Sequence, residues 1–112
     1  MSRNQALAEQ ALKEIVDRVV QAAAPERIIL FGSAARGAMG PNSDVDLLVI
    51  KKGNFRRLDV MGEIYANLSG VGHAVDVVVV TPEDVERFRD SQALVIKPAL
   101  LEGRIVYDAA AV

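Results

Sequence analysis

RIILFGSAARGAMGPNSDVDLLVI, residues 27–50, holds an apolar run, a polar glycine-rich link and a second apolar run. Arg27-Ile28-Ile29-Leu30-Phe31 has the length and branched composition of a short buried strand. Gly32-Ser33 ends it abruptly. Ala34-Ala35-Arg36 predicts a short helix, which Gly37 and Gly40-Pro41-Asn42 close. Val45, Leu47, Leu48, Val49 and Ile50 then belong to a second strand, entered through Ser43 and Asp44. Asp44 and Asp46 stand two apart at its start, so on a strand both side chains leave the same face.

The flanking sequence completes a domain. Upstream, Leu7, Ala11, Leu12, Ile15, Val16, Val19, Val20 and Ala23 recur at helical spacing and give one apolar stripe between Gln5 and Ala24. Pro25 and Glu26 break it. Downstream, Lys51-Lys52-Gly53-Asn54 is a polar turn. Phe55, Leu58, Met61, Ile64, Tyr65 and Leu68 return to helical spacing, with Asn54 the expected N-cap. Gly70 and Gly72 end that helix. Ala74 to Val80 reads as a third strand, rich in β-branched valine and interrupted only by Asp76. Thr81-Pro82-Glu83-Asp84 is a strong helix start: a cap, a proline at the first position, then acids on the positive end of the dipole. A further helix is expected over Ala93 to Glu102, bent or broken near Pro98, and a last edge strand over Arg104 to Tyr107. Helices alternating with strands predict an α/β or α+β domain around a central sheet.

Three aspartates thus fall where burial is costly. If the strands carrying Asp46 and Asp76 are neighbours, Asp44, Asp46 and Asp76 converge. Two carboxylates ~5 Å apart repel by roughly 3 kcal/mol at an effective dielectric near 20. Mg²⁺ is the natural counterion, because it prefers carboxylate oxygens and substrate phosphates. Two such ions can clamp the attacking and leaving oxygens of a nucleotidyl transfer. Gly32-Ser33 supplies the complementary feature. Glycine lets backbone approach a ligand closely, and Ser33 with the following amides forms a set of anion donors. Arg36, one turn on, is placed to reach a phosphate. Phosphate donors on one side and metal carboxylates on the other make a nucleoside triphosphate site. Taken singly, Asp44 could cap a strand, Asp46 could face solvent, Ser33 could cap a helix and Arg36 could be a surface arginine; the combination favours the site.

Composition narrows the function further. The 112 residues fit one compact domain, 1–112, and 51% are hydrophobic, which excludes a disordered chain. A net charge of −2 argues against a general nucleic-acid binder. With no cysteine there is neither a disulfide framework nor a thiolate metal site. No apolar run is long enough to span a bilayer, and a cytoplasmic location is expected. Lys51, Lys52, Arg56 and Arg57 form a basic cluster, read as a solvated turn ahead of a phosphate or RNA contact. The lone His73 receives no role, and Tyr65 and Tyr107 are expected in the core.

The run Phe31-Gly32-Ser33, ten residues, then Asp44-Val45-Asp46-Leu47, with Asp76 between Val75 and Val77, resembles the signature of the polymerase-β nucleotidyltransferase superfamily. GSAARGAMGPNSDVDLLVI is similar to its minimal nucleotidyltransferases (MNT), which are often paired with HEPN proteins. The resemblance covers residues 27 to 80 well and the rest loosely. It implies a mixed central sheet with helices mainly on one side. It assigns Gly32 and Ser33 to the triphosphate, Asp44 and Asp46 to both metal ions, and Asp76 to the ion that activates the acceptor hydroxyl. Ala34 departs from many toxin-associated relatives, which carry a larger, often basic residue there. Larger members add a helical domain for the acceptor; here another subunit is expected to supply that surface. The MNT–HEPN pairing implies a HEPN RNase toxin as partner, with AMP from ATP moved to a toxin tyrosine. The apolar faces of Gln5 to Ala24 and Ala93 to Gly103 are the expected docking surfaces. A non-catalytic antitoxin, and nucleotidyl transfer to a small molecule or RNA, are the competing functions.

Overall fold

The computed structural model describes residues 2–32, 45–91 and 96–111, with side chains from residue 9 onward. The elements run α1 (Ser2–Ala23), β1 (Arg27–Phe31), β2 (Val45–Ile50), α2 (Arg57–Asn67), β3 (Val75–Val80), α3 (Pro82–Phe88), α4 (Ile96–Glu102) and β4 (Arg104–Asp108), closed by a 3₁₀ turn at Ala109–Ala111.

The four strands form one mixed sheet in the order β3-β2-β1-β4. β1 runs antiparallel to both β2 and β4, and β2 runs parallel to β3. The valine and isoleucine runs explain the sheet, since branched side chains pack well on a pleated surface. Their alternation sorts two faces. Ile28, Leu30, Val45, Leu47, Val49, Val77 and Val79 point to one side and pack with Leu12, Ile15, Val16 and Val19 of α1 and Val60 and Ile64 of α2. Ile29, Leu48, Ile50 and Val80 point to the other, where Ile96 and Ala99 of α4 and Val85 and Phe88 of α3 meet them. The two longer helices therefore share one face, and among the described residues the opposite face carries two helices of 7 residues each.

α1 and α2 are locked by more than apolar contact. Arg18 donates to the carbonyls of Asn67 (3.2 Å) and Ser69 (3.0 Å), and Asn67 Nδ2 returns a bond to Arg18 O at 2.7 Å. A cation on the open carbonyls of a helix C-terminus also suits its negative dipole end. At the end of α1, Ala24 turns left-handed (φ 47) and Lys51 Nζ donates to Ala23 O at 2.7 Å.

Several sequence expectations are corrected. From Leu12 to Ala23 the apolar stripe of α1 is spent on the sheet: Ile15 and Val19 are fully buried, so this part is core and no free docking face. The N-cap of α2 is Arg56, which makes no side-chain cap, in place of Asn54. Pro98 lies within the described span of α4, Ile96–Glu102, which continues past it to Glu102. Thr81 and Asp84 form the expected cap as a reciprocal capping box. Among the described residues no helix is long and apolar enough to cross a membrane.

Candidate active site

Strand directions bring three chain segments to one end of the sheet. The C-terminal end of β1 lies beside the N-terminal end of β2, because the two are antiparallel, and the parallel β3 begins at the same level. Phe31 is the register partner of Asp46, and Asp46 is the register partner of Asp76. Residues opposite one another on neighbouring strands project from the same face. Both carboxylates therefore stand on the face of α3 and α4, on adjacent strands ~4.8 Å apart. Asp46 is half-buried and Asp76 exposed. The structure thus places these two of the three expected carboxylates side by side on one sheet face.

Gly32 completes the constellation. It follows Phe31 with φ 75, a left-handed conformation that glycine adopts without strain. A Cβ placed there would overlap the Asp46 carboxylate at Oδ2 and lie 3.3 Å from its Cγ. The backbone thus passes directly against the carboxylate, with no side chain between them. That close approach is the reason for glycine here, because the Asp46 carboxylate occupies the space a methyl group would need. Hard carboxylate oxygens on adjacent strands, with open space on the Asp76 side, are the donor type that Mg²⁺ prefers. Two carboxylates on adjacent strands, one of them exposed, fit that ion. Among the described residues no group of three or more His, Cys, Asp or Glu side chains is assembled for a metal. The third expected carboxylate, Asp44, lies outside the described residues, as do Ser33 and Arg36.

The loop from α2 into β3 joins the same end. Val45 N–H donates to Ala74 O at 2.9 Å, which sets the entry of β3 against β2. His73, just before it, keeps an enclosed Nδ1 without a hydrogen-bond partner. Tyr65 is placed differently from the sequence expectation. It is 40% exposed and not core. Its hydroxyl accepts a 2.8 Å hydrogen bond from Val77 N–H, one residue beyond Asp76. Helical spacing cannot reveal this, because it does not tell which strand lies at the sheet edge. Tyr107 does pack against the main core.

The basic cluster is largely engaged in structure. Lys51 caps α1, Arg57 pairs with Asp84 at 3.0 Å and Arg56 approaches Asp59 at 3.7 Å. It also stands beyond the far end of β2 from Asp46. The solvated-turn reading of these residues fits that arrangement.

The nucleotidyltransferase domain family model matches residues 12–107. No curated protein matches the chain. Among solved structures, a protein from Sulfolobus solfataricus assigned to the nucleotidyltransferases superposes with a TM-score of 0.65 at 23% identity, over 96% of this chain and 86% of that one. A toxin–antitoxin structure with AMP-PNP gives a TM-score of 0.61 at 18% identity, over 88% and 74%. A mutant of the toxin–antitoxin MntA-HpeT gives 0.58 at 15% identity, over 86% and 72%. At these identities the likeness is one of fold.

Proposed function

Since the chain belongs to the nucleotidyltransferase domain family, we propose that it transfers AMP from ATP, with release of pyrophosphate, to a hydroxyl of a partner protein, a tyrosine of a HEPN RNase toxin, and so acts as an antitoxin. The observation that carries the reading is the register pairing of Asp46 with Asp76 beside the side-chain-free Gly32. A fold neighbour described as a toxin–antitoxin with AMP-PNP supports both the nucleotide and the partner class.

Asp44, Asp46 and Asp76 are the residues to hold Mg²⁺, as two ions, and the bound metal supplies positive charge against the phosphates and the attacking oxygen. Gly32 admits the triphosphate close to the backbone, and Ser33 and Arg36 donate to its oxygens. Asp76, the more open carboxylate, faces the side from which the acceptor hydroxyl arrives. The partner's part is to hold that hydroxyl in line, which converts a bimolecular attack into a local one. The 112 residues make up the single domain of this reading.

The test is mass spectrometry of a co-expressed HEPN partner, with the wild-type chain and with Asp44→Asn/Asp46→Asn. Wild type should add AMP to a partner tyrosine and the double variant should not. A partner that carries no nucleotide in either sample, yet is inhibited in both, overturns the enzymatic reading in favour of antitoxin action by binding alone.

A further inference from the structure

We propose that Tyr65 is a positioning residue for Asp76: its hydroxyl holds the outer edge of β3 so that the Asp76 carboxylate stays level with Asp46. The inference rests on the reading of Asp76 as a metal ligand.

Among the described strands β3 lies at the sheet edge, bonded to β2 on one side. An edge strand has outward N–H groups with no strand to receive them. Val77 N–H is one of these, and Tyr65 Oη accepts it at 2.8 Å. The bond falls one residue after Asp76, so it fixes the peptide segment that carries the carboxylate. The tyrosine is itself anchored. Its neighbour Ile64 is fully buried, and Leu68 N–H donates to the carbonyls of Ile64 (3.0 Å) and Tyr65 (3.2 Å). α2 is further tied to α1 through Arg18 and Asn67. A rigid helix thus grips the free side of β3 while β2 holds the other.

Metal ligation makes small errors of position costly, because Mg²⁺ and similar ions demand near-ideal octahedral geometry. A ligand on an edge strand is the one most exposed to such error. A phenol is well suited to prevent it. The ring reaches from the helix to the strand edge, and the hydroxyl accepts the amide without adding a charge beside two carboxylates.

The test uses the whole chain and Mn²⁺ alone, an ion of the same oxygen-preferring class, followed by electron paramagnetic resonance of the free ion. Tyr65→Phe keeps the ring and removes only the acceptor. It should raise the Mn²⁺ dissociation constant about fivefold, the equivalent of about 1 kcal/mol for one net hydrogen bond. It should also speed hydrogen exchange at the Val77 amide and lower Tm by a few degrees, with the fold retained. Tyr65→Leu, which also lacks the hydroxyl, should weaken Mn²⁺ binding at least as much. Asp76→Asn should weaken it more than either. If Asp76→Asn weakens binding but both Tyr65 variants bind Mn²⁺ like wild type, the positioning role is wrong and the reading of Asp76 stands. If Asp76→Asn itself binds like wild type, Asp76 is no ligand, and the inference falls with that reading.

Discussion

Asp46 and Asp76 are register partners across the parallel pair β2–β3, and both project from the face that α3 and α4 only partly cover. Carboxylates on adjacent strands of one sheet face offer oxygen ligands to a divalent cation, and a ligand that binds only the folded chain stabilises it. Mg²⁺ should therefore raise the stability of the wild-type chain by about 2.7 kcal/mol at a hundredfold excess over its dissociation constant. In Asp76→Asn most of this gain should vanish. Because Asp76 is exposed, its stability in EDTA should stay within about 0.5 kcal/mol of wild type. Thermal unfolding of both proteins with Mg²⁺ and with EDTA measures the difference, and an equal Mg²⁺ gain in the variant would falsify the assignment.

Gly32→Ala tests the close approach to Asp46. At φ 75 an alanine is strained, and its methyl would meet the Asp46 carboxylate. The strain should cost about 1–2 kcal/mol. A side chain can swing aside more cheaply than backbone, so the larger effect is expected on the site: Asp46 turns away and Mg²⁺ affinity falls. Urea unfolding and a metal titration on the same sample separate the two losses. A variant that loses stability but keeps full metal affinity would show that Gly32 serves the turn alone.

The site was legible in sequence where side-chain parity decides geometry. Asp46 and Asp76 interrupt valine-rich strands, and neighbouring strands suffice to bring them together. Residues whose role depends on which strand is an edge were not legible. Tyr65 has core spacing, yet its hydroxyl sits on the outer edge of β3. The stripe of α1 was equally ambiguous: an amphipathic face says that something covers it, and here its own sheet does. Asn54 has cap chemistry, but the chain continues to an extended Arg56 (φ −93, ψ 117) before α2 begins. From Leu12 to Ala23, α1 therefore offers no free apolar face. On α4 and β4, Leu101 and Ile105 do remain 73% and 54% exposed.

Thr81→Ala addresses a helix too short to stand alone. α3 has 7 residues, and isolated helices of that length are unstable in water. Thr81 Oγ1 accepts from Asp84 N–H and Asp84 Oδ2 accepts from Thr81 N–H, both at 3.0 Å. The same Asp84 Oδ2 receives Arg57 of α2 at 3.0 Å. Loss of the threonine oxygen should cost about 1 kcal/mol in urea unfolding. Thr81→Ser keeps the acceptor and should recover most of that loss; if it destabilises as much as alanine, the cap is not the cause.

Gly103 and Gly62 make opposite predictions for the same substitution. Gly103 joins α4 to β4, and its N–H donates to Ala99 O at 2.8 Å. A Cβ there would overlap Ala99 O, lie 2.5 Å from Ile29 Cγ2 and 2.9 Å from Leu30 O. Two of these neighbours are backbone carbonyls, and Ala99 and Ile29 belong to the buried cluster beneath α4. Neither can rotate away as a surface side chain would, so α4 must lift from β1. Overpacking of this kind costs about 1–3 kcal/mol. Gly62 lies within α2, where a Cβ meets nothing within 4 Å. Alanine there removes backbone freedom from the unfolded chain and should stabilise by about 0.5–1 kcal/mol. Urea midpoints of Gly103→Ala and Gly62→Ala should thus move in opposite directions from wild type. Equal movement of both would mean that backbone entropy alone governs these glycines, and that the close approach of α4 to β1 at Gly103 does not constrain the fold.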